Sequence, residues 1–98
     1  MANFTVRIEL HDAEWSDYER LHVGMKQKGF SRLIRANDGR TYRMPWAEYN
    51  GNANLTTMEI LNIAGEVANG TGKQNAVLVT EAASRAWIGL PVLAGGVG

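Results

Sequence analysis

The chain has 98 residues, the length of one ordinary domain, and its ten basic and ten acidic side chains cancel. It contains no cysteine, which excludes disulfides, thiolate metal sites and cysteine nucleophiles. The balanced charge provides no global field to attract nucleic acid or a membrane surface, so a phosphate partner requires a local basic patch.

The first predicted strand covers Phe4 to Leu10, where apolar and polar residues alternate. Asp12 is expected to cap a helix that runs to about Lys28 and ends at Gly29. One side of this helix is expected to face the core, and it carries at helical spacing Trp15, Tyr18, Leu21, His22 and Met25.

Residues 30–35 predict a second strand, followed by a turn at Asn37-Asp38-Gly39. The third predicted strand covers residues 41–49, and Pro45 within it indicates an edge position, a bulge or an early end. Residues 50–54 are expected to form a loop because they consist of asparagine, glycine and alanine.

Thr56 and Glu59 have the spacing of a capping box, so a second helix is expected to begin there and to end near Gly70 and Gly72. Residues 75–80 predict the fourth strand, and residues 81–87 predict a short helix. The resulting order, β-α-β-β-α-β, predicts an α+β ferredoxin-like domain over residues 1–80, with a four-stranded antiparallel sheet and both helices on one face. Residues 81–98 form a C-terminal extension, and its glycine-rich end is expected to be frayed.

Five arginines occur on or near the first three predicted strands, and four of them are candidate phosphate-binding residues: Arg7, Arg32, Arg35 and Arg43. The alternative is a solvated sheet face with cross-strand pairs to Glu9 and Glu48. Tyr49 is the aromatic residue expected to be exposed and able to stack on a base, whereas Trp15 and Trp46 are expected in the core.

The two histidines have functional and structural interpretations. His11, beside Asp12 and near Glu9, could seat a metal or act as a base, or it could be an exposed imidazole next to a helix cap. His22 could move protons, or it could be a partly buried histidine bonded into the fold. Known phosphate, dinucleotide and metalloprotease motifs are missing, so no metal and no cofactor are predicted.

The C-terminal extension contains five large apolar residues beyond a fold that is already complete. A free apolar segment is a liability, so these residues must cover their own domain or a neighbouring one. We expect them to cross to a second copy and form a homodimer interface, and a monomeric full-length chain would mean that they fold back on their own domain. They are Trp87, Ile88, Leu90, Val92 and Leu93.

Gly29-Phe30-Ser31-Arg32-Leu33-Ile34, the Asn37-Asp38-Gly39 turn and Met44-Pro45 together resemble the middle of GhoS-type proteins. These are the endoribonuclease antitoxins of type V toxin–antitoxin systems, and their fold is similar to that of the small CRISPR adaptation nuclease. The similarity covers residues 3–80. It implies a dimer that cleaves single-stranded regions of a messenger RNA, with a basic residue of the first helix taking part; the matching stretch here contains Arg20 and His22. The extension from Glu81 onward departs from the antitoxin pattern.

Three classes of function follow. The first is a single-strand-specific endoribonuclease in which Arg20 steadies phosphate and His22 or His11 moves protons. The second is a nucleic-acid or small-ligand binding module that uses the same sheet without chemistry, and the third is a homodimeric regulatory or structural protein without a ligand. We expect a cytoplasmic protein with no membrane or DNA partner, because the start of the chain lacks the pattern of a signal peptide and no apolar stretch has the length of a membrane span.

Overall fold

The computed structural model describes residues 1–93, which form a mixed α+β fold with two helices and antiparallel strands. This agrees with the α+β class predicted from the sequence, whereas the single four-stranded sheet of that prediction is not present among these residues. The elements in chain order are β1 (Ala2–Leu10), α1 (Trp15–Gln27), β2 (Leu33–Arg35), β3 (Thr41–Arg43), β4 (Glu48–Ala53), α2 (Thr57–Asn69) and β5 (Asn75–Glu81). Neither helix of this described part is both long enough and apolar enough to cross a membrane.

β1 is the central strand of a three-stranded antiparallel sheet with the order β4-β1-β5. Arg7, for example, lies opposite Glu48 on one side and Leu78 on the other. The alternation of β1 is as predicted over residues 4–10. Arg7 and Glu9 are exposed, and the buried residues are Phe4, Val6, Ile8 and Leu10. Strand β5 agrees with its predicted position to within one residue.

The predicted second and third strands form a separate two-stranded hairpin, β2-β3, instead of completing one sheet with β1. A single bridge links this hairpin to the larger sheet, where Ser31 and Asn50 exchange backbone hydrogen bonds of 3.0 and 2.7 Å. The predicted turn at residues 37–39 joins β2 and β3, and Gly39 there has a φ of 86°.

The predicted third strand is interrupted, because residues 44–47 turn the chain between β3 and β4. Pro45 has no N–H to donate, and its carbonyl accepts a hydrogen bond from the Glu48 N–H at 3.0 Å. Ala47 takes a φ of 62°. The prediction of a loop at residues 50–54 was wrong, because β4 continues to Ala53 and pairs with β1 along its length.

The core lies between one face of β1 and both helices. Its fully buried large side chains are Tyr49, Phe4, Ile8, Leu21, Met25, Ile60 and Val6. Because α1 and α2 contribute to this one cluster, they cover the same sheet face. The other face carries Thr5, Arg7 and their neighbours on β4 and β5.

The ends of the helices are set by local hydrogen bonds. Helix α2 has the predicted capping box, in which the Glu59 N–H donates to Thr56 Oγ1 and the Thr56 N–H donates to Glu59 Oε1. Helix α1 begins later than predicted: its N-cap is Glu14, whose N–H donates to Asp17 Oδ2 at 2.9 Å. Asp12 instead adopts a φ of 51° in the turn before the helix.

Residues 82–93, which we call the tail strap, run back over the same chain. The Arg43 N–H donates to the Pro91 carbonyl, and the Leu93 N–H donates to the Thr41 carbonyl, both at 2.9 Å. The strap therefore pairs with the outer edge of β3 around the Tyr42–Val92 bridge. The predicted short helix at residues 81–87 was wrong, since β5 ends at Glu81 and residues 82–87 are irregular. The predicted fraying of the last glycines lies outside the described residues.

Candidate nucleic-acid interface

A cluster of aromatic and basic side chains lies between α1 and the turn that precedes β4. We call it the tryptophan cluster; its members are Trp15, Tyr18, His22, Arg32, Trp46 and Tyr49. Residues 15, 18 and 22 follow one another at helical spacing, so they form one stripe along α1. Trp46 is brought against this stripe by the turn at residues 44–47, where Pro45 and the left-handed Ala47 reverse the chain.

Trp15 and Trp46 stack on one another, with ring centroids 4.8 Å apart and an angle of 25° between their planes. Both are substantially exposed, at 67% and 42% respectively. The prediction that they belong to the core was therefore wrong. Two stacked, solvent-accessible indoles form an apolar platform, a surface on which unsaturated rings such as nucleobases can stack.

Arg32 holds a positive charge over this platform, because its guanidinium carbon lies 4.6 Å from the centroid of the Trp46 ring. Burial lowers the pKa of Arg32, and the neighbouring Arg43 lowers it further. Arg32 Nε is buried and has no hydrogen-bond partner among residues 1–93. A cation that is partly desolvated and incompletely paired is suited to accept an anionic ligand such as phosphate.

His22 and Tyr49 form the inner end of the cluster. His22 Nδ1 and the Tyr49 hydroxyl are 2.6 Å apart, and the imidazole meets Trp46 edge to face at 4.8 Å. Burial lowers the pKa of His22 to about 4, with a smaller contribution from the charge of Arg32, and burial raises the pKa of Tyr49. Both groups are therefore neutral at pH 7. His22 Nε2 is buried without a partner among the described residues.

Tyr49 is fully buried, so the expectation that its ring is exposed for stacking was wrong. The cause is the interruption after β3: it changes the alternation, and Tyr49 enters β4 facing the core beside Val6. The structure exchanges the predicted positions of Tyr49 and the two tryptophans. Tyr49 contacts the rest of the tryptophan cluster through His22, by its hydroxyl and by its ring, whose centroid lies 5.6 Å from that of the imidazole.

The three predicted catalytic residues do not share a site. Arg20 binds Asp17, and it also donates to the Thr71 carbonyl at 3.2 Å, which ties α1 to the end of α2. His22 faces the tryptophan cluster. His11 is exposed after the end of β1, with Nε2 3.5 Å from Glu9 Oε1.

The predicted phosphate-binding arginines are likewise divided. Arg32, with Arg43 close to it, lies at the tryptophan cluster, whereas Arg7 is on the open sheet face between Glu48 and Leu78. Arg35, at the end of β2, lines a cavity of about 620 Å³ beside the tail strap. The patch expected from the sequence is reduced to Arg32 and Arg43.

The five apolar residues predicted at a dimer interface lie in the tail strap. Trp87 packs edge to face on Tyr42, with centroids 5.4 Å apart, and Leu90 helps to line a cavity of about 320 Å³ under the strap. Leu93 is half-buried on β3, whereas Ile88 is 96% exposed and Val92 is 52% exposed. Their role in a dimer stays a prediction.

The sequence interpretation missed Arg85, which anchors the strap to the open sheet face. Its guanidinium donates to Thr5 Oγ1 at 2.8 Å and to Asn50 Oδ1 at 2.7 Å, and burial lowers its pKa. These partners lie far away in the chain, so no local pattern could identify them. The stacking of Trp15 on Trp46 has one local signal, the Pro45 that marks a turn directly before Trp46.

Within residues 1–93, no group of three or more His, Asp or Glu side chains is arranged to hold a metal ion. No protein-family model matches the chain, and a comparison with curated proteins finds no significant match.

Proposed function

We propose that this protein binds single-stranded RNA at the tryptophan cluster. The observation that carries the proposal is the exposed Trp15–Trp46 stack with the Arg32 guanidinium 4.6 Å from the Trp46 ring. Such an arrangement offers two of the contacts that single-stranded nucleic acids require, an aromatic surface for a base and a cation for its phosphate. Neutral net charge makes strong non-specific binding unfavourable, so the interaction depends on these local contacts.

Binding is tested with an unstructured oligoribonucleotide such as a uridine dodecamer. Titration should quench tryptophan fluorescence, and Trp15→Ala or Trp46→Ala should weaken binding by about tenfold or more, the usual loss for one stacked base. Trp87→Phe is the matched control, because Trp87 lies in the tail strap on Tyr42. Equal affinity for RNA in the wild type and in the three variants would place any RNA site elsewhere. The corresponding oligodeoxyribonucleotide tests the preference for RNA.

A second candidate is endoribonuclease activity of the kind that the GhoS resemblance implies. The observation in its favour is His22 Nε2, an unpaired imidazole nitrogen beside the platform. If Nδ1 donates to the Tyr49 hydroxyl, Nε2 is free to accept the proton of an RNA 2′-hydroxyl. The 2′-oxygen then attacks phosphorus, the bond to the 5′-oxygen breaks, and the leaving 5′-oxygen takes up a proton from water or from the newly protonated His22 Nε2. The products are a 2′,3′-cyclic phosphate and a 5′-hydroxyl end, and the step needs no metal.

The ribonuclease candidate requires access to His22 Nε2, which is buried beside Trp46. Binding without cleavage is therefore the function that the geometry favours, and a non-catalytic regulatory protein remains the alternative. Incubation with end-labelled single-stranded RNA distinguishes them. Cleavage that His22→Gln abolishes while binding is retained would support the enzyme; intact RNA at saturating protein would support the binding module.

We also propose that the domain is a variant of the ferredoxin-like topology, acting in the cytoplasm on RNA like the antitoxins it resembles. The order β4-β1-β5 with both helices on one face supports this topology. The Ser31–Asn50 bridge supplies the fourth strand position next to β4, although only over one residue pair. Protection of the Ser31 and Asn50 amides from hydrogen exchange to the same degree as those of β1 would support one continuous sheet.

A further inference from the structure

One outer strand edge of this fold, that of β3, is covered by the chain itself, whereas the other, that of β5, is not. At one end, the tail strap pairs with β3 and covers its edge at residues 91–93. At the other end, β5 pairs with β1 on one side only, and no strand of residues 1–93 pairs with its other side. An uncovered strand edge carries a row of unpaired backbone donors and acceptors, a template for another strand.

The hydrogen-bond pattern identifies which groups lie along the free edge. The His11 N–H donates to the Gln74 carbonyl, and the Ala82 N–H donates to the Asn3 carbonyl, both at 2.8 Å. Backbone groups alternate along an antiparallel ladder, so the even-numbered residues of β5 direct their N–H and C=O groups to β1. The odd-numbered residues direct theirs outward: Asn75, Val77, Val79 and Glu81. None of these outward groups bonds to another residue of the described chain.

The composition of β5 does not protect this edge. Protected edges carry lysine, proline or inward-pointing charges, or they are very short. The seven residues Asn75–Glu81 include neither lysine nor proline, and their single charge, Glu81, is at the last position. Leu78 in the middle of the strand is 62% exposed on the open sheet face.

We propose that β5 pairs with β5 of a second copy of this chain, antiparallel and centred on Leu78, so that the two three-stranded sheets become one. This register places Val77 opposite the partner's Val79 and Glu81 opposite the partner's Asn75. It is the register with the longest overlap in which outward groups meet outward groups, and it provides about eight backbone hydrogen bonds. The carboxylates at the two ends face amides instead of each other.

The two-fold axis of this dimer passes beside Leu78. Because its own N–H and C=O point to β1, residue 78 is in a non-hydrogen-bonded position, where opposing side chains are closest. Leu78 therefore packs against the partner's Leu78, and its exposed apolar surface is covered. This interface is separate from the tryptophan cluster and from the tail strap, and it does not depend on RNA binding.

The oligomeric state of the full chain tests the pairing, by sedimentation velocity or light scattering over a range of concentrations. Leu78→Lys should raise the dimer dissociation constant at least about tenfold, because two ammonium groups then face each other at the axis. Thr80→Lys is the matched control: it adds the same charge to the same face of the same strand, but opposite the partner's Ala76. Val77→Pro removes an outward N–H that β1 does not use, and it should also give a monomer.

Hydrogen exchange gives a second readout that does not require a substitution. The amides of Val77 and Val79 should become protected as the concentration of the unmodified protein rises through the dimer range. A wild-type chain that stays monomeric at several hundred micromolar would overturn the proposal. So would a dimer that survives both Leu78→Lys and Val77→Pro but dissociates on Ile88→Lys, which would place the interface on the tail strap.

Discussion

At the scale of single residues, the pair formed by His22 and Tyr49 is the most constrained polar contact of the tryptophan cluster. Tyr49 is completely buried, and its hydroxyl lies 2.6 Å from His22 Nδ1. A buried polar group that loses its partner retains the cost of its desolvation. The pair therefore contributes to stability as long as both members are present and neutral.

Tyr49→Phe removes the hydroxyl and leaves His22 Nδ1 without its partner. We expect the free energy of unfolding to fall by about 1–3 kcal/mol, measured by urea denaturation. Tyr42→Phe is the control, because Tyr42 is half-buried and its ring contacts Trp87. In the double variant His22→Phe/Tyr49→Phe both polar groups are removed, and its loss should be smaller than the sum of the two single losses. Additive losses would show that the pair is not coupled.

The lowered pKa of His22 predicts that stability falls as the solution becomes acidic. The folded state has a pKa of about 4 at this site, whereas an unfolded histidine titrates near 6.5. Between these two values the unfolded chain binds the proton and the folded chain does not, so acid favours unfolding. Melting temperature should fall as the pH is lowered from about 6.5 to about 4.

His22→Gln should reduce the change in melting temperature over that pH range. His11→Gln, at an exposed position, should leave the dependence of melting temperature on pH as it is in the wild type. Direct titration of the two imidazoles by NMR provides the site-specific measurement. A His22 resonance that titrates near 6.5 in the folded protein would contradict the burial that the structure assigns to this ring.

At the scale of secondary-structure elements, Gly51 shows why a segment rich in asparagine and glycine forms a strand. A Cβ at position 51 would lie 2.5 Å from Phe30 Cδ1 and 2.8 Å from the Gly29 carbonyl. Glycine permits β4 to approach the chain after α1, and it leaves the space that Phe30 fills. The residue that looked like a loop signal is a packing requirement of the sheet.

Gly51→Ala should therefore destabilise the domain by about 1–3 kcal/mol, the usual cost of overpacking a core. Gly65 is the opposite case, because it lies within α2 and a Cβ added there would have no atom within 4 Å. Gly65→Ala should therefore stabilise the helix by about 0.5–1 kcal/mol. Both free energies follow from urea denaturation. A neutral Gly51→Ala variant would show that Phe30 and the Gly29 carbonyl can move aside.

The elements that sequence alone located correctly are those whose signals are local. The alternation of β1, the Thr56–Glu59 box of α2 and the turn at Gly39 each depend on residues a few positions apart. The errors arise where the conformation or burial of a residue depends on a partner that is distant in the chain. Tyr49 is buried because β4 pairs with β1, and the strap is extended because Arg43 and Thr41 supply its hydrogen bonds.

The candidate site was predictable only in part for the same reason. His22 and Arg32 stand out by residue type, but their meeting at Trp46 depends on the turn at residues 44–47. The helical spacing of Trp15 and the apolar character of both indoles assigned the two tryptophans to the core. Two indoles that stack on each other remove part of their apolar surface from water even though the pair remains at the protein surface.

At the scale of the whole molecule, the tail strap joins the small hairpin to the larger sheet. Arg85 bonds to Thr5 and Asn50 of the sheet, and Pro91 and Leu93 pair with β3. The strap is therefore a part of the folded domain in this chain, although the sequence predicted that the domain is complete at residue 80.

Truncation after Glu81 should lower the melting temperature and expose the side chains beneath the strap, including Met44 and Ile34. Increased binding of a hydrophobic dye reports that exposure. Truncation after Leu93 is the control, because it keeps every described contact. If β5 forms the interface between two copies, the chain that ends at Glu81 should still dimerise; loss of the dimer with a retained melting temperature would favour the strap as the interface.

The position of β1 in the middle of the sheet has a consequence for how the protein is made. Of the three strands of this sheet, β1 is synthesised first, whereas its neighbours are β4 and β5, and β5 is synthesised last. The two backbone edges of β1 therefore have no pairing partner while most of the domain is translated. Pairing between distant segments is slow, and an unpaired strand is open to association with other chains during that time. The interval between synthesis of Leu10 and of Asn75 is thus the period in which β1 is most open to association with other chains.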